Sequence, residues 1–284
     1  MKSALSSAPA MSQFILPPPR LAGGPYVMGI LNVTPDSFSD GASEEAAAPR
    51  ALAMLEAGAD IIDVGGESTR PGAEPVSEGE EIARIVPVIA ALRAAAKATI
   101  SIDTMKPGVA LAAMSAGANI WNDVFALQAP GALETAASLH KPVVLMHMQG
   151  EPRTMQAEPR YDDVVAEVIA FLRARVVAAE AKGVTDIWVD PGIGFGKTLA
   201  HNLALLNAVA RIKSEVGRPV LIGASRKRFI AAIDERAQNA AKDRLGGSVA
   251  AALLAAQQGA DMVRVHDVAE TVQALKLWRA VEQS

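Results

Sequence analysis

The sequence predicts an α/β fold, a single-domain (β/α)8 barrel of the TIM type, on three observations. Short apolar runs alternate with longer Ala-rich segments whose apolar residues recur at helical spacing, eight such runs follow one another from Tyr26 onward, and each run leads to a polar residue able to hold a ligand. Parallel strands need helical crossovers, and eight of them close a ring filled by their own side chains. An open doubly wound sheet satisfies the first two observations. The third favours the ring, because all the strand ends then share one mouth, where barrel enzymes place their chemistry.

Along the 284 residues, a Ser-, Ala- and Pro-rich tail over 1–22, with Pro17, Pro18 and Pro19, precedes a barrel over 23–284. The expected strands are Tyr26 to Leu31, Ile61 to Val64, Thr99 to Ile102, Asn119 to Trp121, Val143 to Met146, Ile187 to Val189, Val220 to Ile222 and Met262 to Val265. Their ligand-type residues are Asn32, Asp63, Asp103, Asn122, His147, Asp190, Ser225 and His266, in that order. Between the strands, Ser77 with Glu80 forms a capping-box pattern. Gly58, Gly117, Gly183, Gly217 and Gly259 mark helix ends.

Composition narrows the function. Half the residues are hydrophobic, 20% charged and 4% aromatic, so Ala, Val, Ile and Leu can form a large core. Without cysteine there is no disulfide, thiolate nucleophile or Cys-ligated metal, which fits a cytosolic enzyme, and any metal must use oxygen or histidine. A net charge of −4 opposes nucleic acid as a partner, since phosphate-backbone binders carry a broad basic surface. No apolar run approaches the roughly 18 residues of a membrane span, and MKSALSSAPAMSQF lacks a signal peptide's apolar stretch. The expectation is a cytoplasmic protein with no membrane partner.

Glycine-rich DPGIGFGKT, Asp190 to Thr198, fails as a nucleotide loop. A Walker A loop needs glycine at Pro191, and a dinucleotide fingerprint from Gly192 needs it at Lys197. The loop reads as a turn bringing Phe195 against a flat ligand beside Asp190. Asp103, Asn122 and Asp190 together suit a heterocycle with an aminopyrimidinone edge, because carboxylates accept paired N–H bonds and an amide both donates and accepts. For Asp103, helix capping explains the local sequence equally well. Arg70, Arg226, Lys227, Arg264 and His266 form a cationic group suited to a diphosphate or carboxylate, with Arg228 and Lys213 read as solvated. His140 and His201 read as packing or surface residues, and His147 with His266 falls short of a zinc site.

MGILNVTPDSFSDG, IIDVGGESTRPGA, SIDT, NIWNDV, HMQGEPRTMQ, VDPGIGFGK, IGASRKRFI and VRVHD, in unbroken order from Val27 to Asp267, resemble the dihydropteroate synthase family. One departure is Ala42, where the family commonly has a second glycine after Asp40 and Gly41. The resemblance implies a barrel that joins 6-hydroxymethyl-7,8-dihydropterin diphosphate to 4-aminobenzoate in folate biosynthesis, commonly as a homodimer. By motif, Asn32 would bind magnesium together with the diphosphate, and Asp103, Asn122, Met146, Asp190 and Lys227 would hold the pterin. Thr69, Arg70, Arg264 and His266 would face the diphosphate, while Phe38, Pro71, Phe195 and Ser225 would frame the aminobenzoate. Asp103, Asp190, Arg70, Lys227, Arg264 and His266 would be the catalytic set. A pterin-binding methyltransferase domain shares the Asp103, Asn122 and Asp190 positions, and a non-catalytic pterin binder is a further alternative. Both leave the STRPG and SRK segments without a use.

Overall fold

A computed structural model describes residues 15–34, 47–68, 74–150 and 155–284. In chain order the elements are β1 (Tyr26–Asn32), α1 (Ala47–Glu56), β2 (Ile61–Gly65), α2 (Glu78–Ala95), β3 (Thr99–Asp103), α3 (Pro107–Ala116), β4 (Ile120–Asp123), α4 (Ala132–Leu139) and β5 (Val143–Met146). There follow α5 (Val164–Ala181), β6 (Ile187–Asp190), α6 (Leu199–Asn207), α7 (Val209–Val216), β7 (Leu221–Ile222), α8 (Arg228–Ala231), α9 (Leu245–Gln257), β8 (Met262–Val265) and α10 (Val268–Glu282). All strands pair in parallel, in the order β6-β5-β4-β3-β2-β1-β8-β7. The ring closes where Val189 bridges Val220 in parallel and donates its N–H to Pro219 O at 3.0 Å. An open doubly wound sheet has no such bridge.

Period-two alternation assigns each strand residue a side. Met28, Ile61, Ile120, Val144, Trp188, Leu221 and Met262 form one apolar cluster, drawn from seven strands, inside the barrel. Their strand neighbours Val27, Ile62, Trp121, Val143, Ile187, Ile222 and Val263 belong to a second cluster that packs against the helices. Two residues beyond the inner cluster stand Asp63, Asn122, Asp190 and Arg264, so the barrel interior passes from an apolar floor to a charged mouth within one pleat repeat. Leu16 and Tyr26 pack against the floor, and the Arg20 guanidinium donates to Leu55 O at 2.6 Å. The segment expected as a tail through residue 22 thus meets the barrel from Leu16 onward.

The five helix-end glycines all take positive φ, from 69° at Gly217 to 116° at Gly117, which L-residues adopt at a cost. The expected capping box at α2 forms by half. Ser77 Oγ accepts from Glu80 N at 3.3 Å, but the Glu80 carboxylate turns along the helix to Arg84 instead of reaching back to Ser77 N.

Candidate active site

Parallel register places Asn32 beside Gly65, Gly65 beside Asp103, and Asp103 beside Asn122, a row across four strands at the C-terminal edge. Arg264 reaches into this row from β8. Its Nε donates to Asp63 Oδ2 at 2.5 Å and its Nη2 to Asp103 Oδ2 at 2.6 Å, while Asn122 Nδ2 donates to the same Asp63 oxygen at 3.1 Å. Asp63 is fully buried, and one cation balances two carboxylates. Burial works against the Arg264 charge, yet Asp63 and Asp103 hold its pKa above the ordinary value. Burial pushes Asp103 up to about 7, with Arg264 opposing and Asp63 adding repulsion.

Asp103 does not cap a helix: α3 has Lys106 at its N-cap, so the capping reading of Asp103 falls. Its Oδ1 and that of Asp63 are buried with no hydrogen-bond partner. An unpartnered buried acceptor is costly, and a ligand N–H relieves it. Asp190, across the ring on β6, accepts Gly192 N on Oδ1 at 2.7 Å, so one of its oxygens caps the turn that follows. A methyl group placed on Gly223 would lie 3.8 Å from Asp190 Oδ2 and 3.8 Å from Arg264 Cβ, which sets both side chains about one open spot. Burial raises the Asp190 pKa, opposed by the Gly192 amide and by Lys227, Arg264 and Lys197.

Lys227 follows β7, and its Nζ sits 3.8 Å over the Phe195 ring centroid. Burial pulls its pKa down to about 7, with Asp190 working against that fall. Phe195 is carried by a loop whose Gly192, Gly194 and Gly196 have φ of 70°, 82° and 61°. A Cβ on Gly192 would stand 1.9 Å from His147 O, so the loop lies directly on the end of β5. Phe195 and Met146 share a small cluster with Met105, Val124, Phe125, Met148 and Met155. That gives the pocket a soft apolar wall.

Ser225 and His266 meet each other: Ser225 Oγ lies 3.1 Å from His266 Nδ1 and accepts His266 N at 3.2 Å, joining the loops after β7 and β8. Arg226 corrects a reading. Its guanidinium forks onto both oxygens of Asp267, at 3.0 Å from Nε and 2.5 Å from Nη2, which commits two of its five donors to a carboxylate of the protein. Arg264 is corrected in the same way, since two of its donors are committed to carboxylates and the N–H groups of Nη1, with the second of Nη2, are what remain for a diphosphate. Lys213, read as solvated, pairs with Asp261 at 2.7 Å, and Arg228 is exposed as expected. His201 completes a capping box with Thr198 at the start of α6, a surface role. Asn32 and Asp103 line one spot, because a methyl on Gly65 would lie 3.7 Å from Asn32 Oδ1 and 3.8 Å from Asp103 Oδ2. Among the described residues no three His, Cys, Asp or Glu side chains cluster as metal ligands. Phe38, Thr69, Arg70 and Pro71 lie outside the described residues.

A row of acceptors facing an amide and a lysine, closed by an aromatic loop, suits a flat amino-heterocycle. The family model described as pterin binding enzyme matches residues 28–266. Dihydropteroate synthase of Escherichia coli (strain K12) is 48% identical over 261 residues, 90% of this chain and 91% of that protein.

The chain belongs to the dihydropteroate synthase family.

Solved structures of the family share the fold. The Xanthomonas albilineans enzyme with 4-aminobenzoic acid superposes with a TM-score of 0.87 at 52% identity, covering 92% of this chain and 94% of that one. The Xanthomonas enzyme with 7,8-dihydropteroate gives 0.83 at 49% identity, covering 92% and 95%. The Yersinia pestis enzyme with a sulfonamide drug gives 0.87 at 46% identity, covering 92% and 95%. With family membership established, the residues that sequence reasoning left without a role become conspicuous. Asp63 anchors both Arg264 and Asn122, and its signal was available in the Ile-Asp pair repeated in β2 (Ile62-Asp63) and β3 (Ile102-Asp103). Lys197, 3% exposed, donates to Phe195 O at 2.9 Å and meets His147 Nδ1 at 3.0 Å. Burial pulls Lys197 down to about 7 and His147 down to about 3.

Proposed function

We propose that this chain is a dihydropteroate synthase that condenses 6-hydroxymethyl-7,8-dihydropterin diphosphate with 4-aminobenzoate. The observation that carries the reading is the unpartnered Asp103 Oδ1 in a mouth shared with Asn122, Asp190 and Lys227. Two carboxylates accept the N–H groups of an aminopyrimidinone, and the amide and the ammonium supply donors to its ring nitrogen and carbonyl. Relatives with 4-aminobenzoic acid and 7,8-dihydropteroate in their structures support the same assignment.

In the reaction the bond from the pterin methylene carbon to the diphosphate oxygen breaks, and the electron pair leaves with the oxygen. Asp103 and Asp190 favour the positive charge that develops on the pterin side, while Arg264 Nη1 and His266 favour the negative charge on the departing diphosphate. Thr69 and Arg70 join them on the family's motif. The aromatic amine forms the new C–N bond to the methylene and then sheds a proton. It is nucleophilic as it stands, so no serine, thiol or strong base is required. Phe195, with Ser225, Phe38 and Pro71 by motif, frames that amine.

Magnesium fits the donor set. Asn32 offers one hard amide oxygen beside Asp103, and we assign further positions to the diphosphate and water, as is usual for this ion. When bound, it would draw charge from the leaving group. We also propose a cytoplasmic homodimer. Exposed Leu254, Leu277 and Val281 on neighbouring α9 and α10 give apolar surface that a second copy would cover, and no described helix is long and apolar enough to cross a membrane.

Magnesium-dependent diphosphate release from the pterin substrate, with and without 4-aminobenzoate, tests the reading. Release that rises with the amine and yields an adduct is expected. Binding of the pterin without any release would return the chain to the methyltransferase or non-catalytic alternatives.

A further inference from the structure

The loop between β6 and α6 is held by side chains. Gly194 N donates to Asn202 Oδ1 at 2.6 Å, Gly194 O accepts from Gln156 Nε2 at 2.6 Å, and Gly196 O accepts from the Tyr161 hydroxyl at 2.9 Å. Phe195 O, at the loop's centre, accepts from Lys197 Nζ at 2.9 Å. The remaining Lys197 donors face His147 Nδ1 at 3.0 Å and His147 O at 3.4 Å, so the three N–H groups are used on neutral acceptors. Among the described residues no carboxylate comes within ion-pair distance of this buried lysine. Burying an ammonium on such terms is costly, and a neutral side chain of the same length would fill the space more cheaply. On its other side Phe195 carries Lys227 Nζ over its ring. One aromatic residue is thus held between two lysines, by its carbonyl and by its face.

We propose that Lys197 is a positioning residue for the second substrate: by holding the Phe195 carbonyl to the end of β5, it sets the Phe195 ring against Lys227 and so shapes the aminobenzoate pocket. The inference rests on the function proposed above. The pterin set is Asp103, Asn122, Asp190 and Lys227, and none of these is a hydrogen-bond partner of Lys197, whose contacts are Phe195 O and His147. Its loss therefore acts selectively on the amine.

Lys197→Met keeps the stem and removes the donors. The expected result is a KM for 4-aminobenzoate raised about tenfold, the size of one charge-assisted hydrogen bond. Affinity for the bare pterin, read by calorimetry, should change by less than about threefold. Combined with Phe195→Leu in a double-mutant cycle, the two effects on KM should be strongly non-additive, because both act through one ring. Equal losses for pterin and amine, or additive effects in the cycle, would overturn the proposal in favour of a purely structural lysine. Should Lys197→Met fail to fold, Tyr161→Phe loosens the same loop without touching a buried charge. A rise in the 4-aminobenzoate KM alone supports the proposal, and an unchanged KM refutes it. Absent pterin binding in the unaltered enzyme would instead sink the function itself, so the two failures are distinguishable.

Discussion

Asp103→Asn tests the pterin anchor most directly. The substitution preserves size, and the new amide oxygen can still accept from Arg264 Nη2, which now reaches Asp103 Oδ2 at 2.6 Å. The amide nitrogen then takes the place of the unpartnered Oδ1 and sets a donor against a pterin N–H. One charged-group hydrogen bond lost in an enclosed site costs roughly 1.5 to 3 kcal/mol, so pterin affinity should fall about 10- to 150-fold. The pH dependence adds a second readout. Burial raises the Asp103 pKa to about 7, and only the carboxylate accepts the N–H, so affinity should climb as pH rises through that value. Lys227, pulled down to about 7 by burial, loses its proton over the same range and produces a falling limb. The unaltered protein should therefore bind the pterin best near neutrality, as the product of the two states. Asp103→Asn should abolish the rising limb and move the falling limb to lower pH, because the Asp103 charge helps keep Lys227 protonated. Calorimetric titration with the bare pterin from about pH 5.5 to 8.5, limits that bracket roughly 1.5 units either side of those values, resolves both limbs. A loss below about threefold, or a rising limb retained in the variant, would refute the assignment.

Other expectations follow from single contacts. Asn32→Ala should raise the magnesium concentration needed for half-maximal diphosphate release, and magnesium titrations that overlay the parent's would make Asn32 only a strand-end residue. A sulfonamide should compete with 4-aminobenzoate, binding tightly only once diphosphate and pterin are present. Undiminished binding to the free enzyme would contradict an ordered site. Gly192→Ala should cost about 2 to 5 kcal/mol in urea unfolding, combining a left-handed φ with a collision against His147 O. Gly131→Ala, also left-handed but with open space at its Cβ, should cost only about 1 to 2 kcal/mol, and equal losses at the two sites would show that the loop shifts freely.

The barrel was legible because its strands obey one rule that sequence displays directly. Ile61 and Asp63, Ile120 and Asn122, Trp188 and Asp190, and Met262 and Arg264 are each two residues apart, apolar then polar, and a period of two assigns both members to the inner face. Strand edges were less so: β7 keeps only Leu221 and Ile222, because Val220 N turns to the Asp261 carboxylate at 2.9 Å and Val220 contributes a lone bridge. That competition lies between residues 41 apart, beyond any local pattern.

The site was legible in membership and less so in partnership, for a physical reason. Periodicity says which face a residue occupies, whereas its partner depends on how the ring closes. Arg264 could be placed in the mouth from Met262-x-Arg264. That its guanidinium meets Asp63 and Asp103, 201 and 161 residues earlier, requires β8 to lie beside β1, which no local signal encodes. Arg226 shows the same limit at shorter range. It stands next to Lys227 and was grouped with it, but its φ of 57° reverses the chain's direction there, so the two neighbouring cations part, one to Asp267 and the other to Phe195. Lys197 was visible only as the residue that spoiled a dinucleotide fingerprint, because its burial depends on His147, 50 residues away. The charges that sequence pattern misplaced are thus the ones whose partners arrive from distant strands, and Asp63 and Lys197 are where substitution should reveal coupling that motif reading does not show.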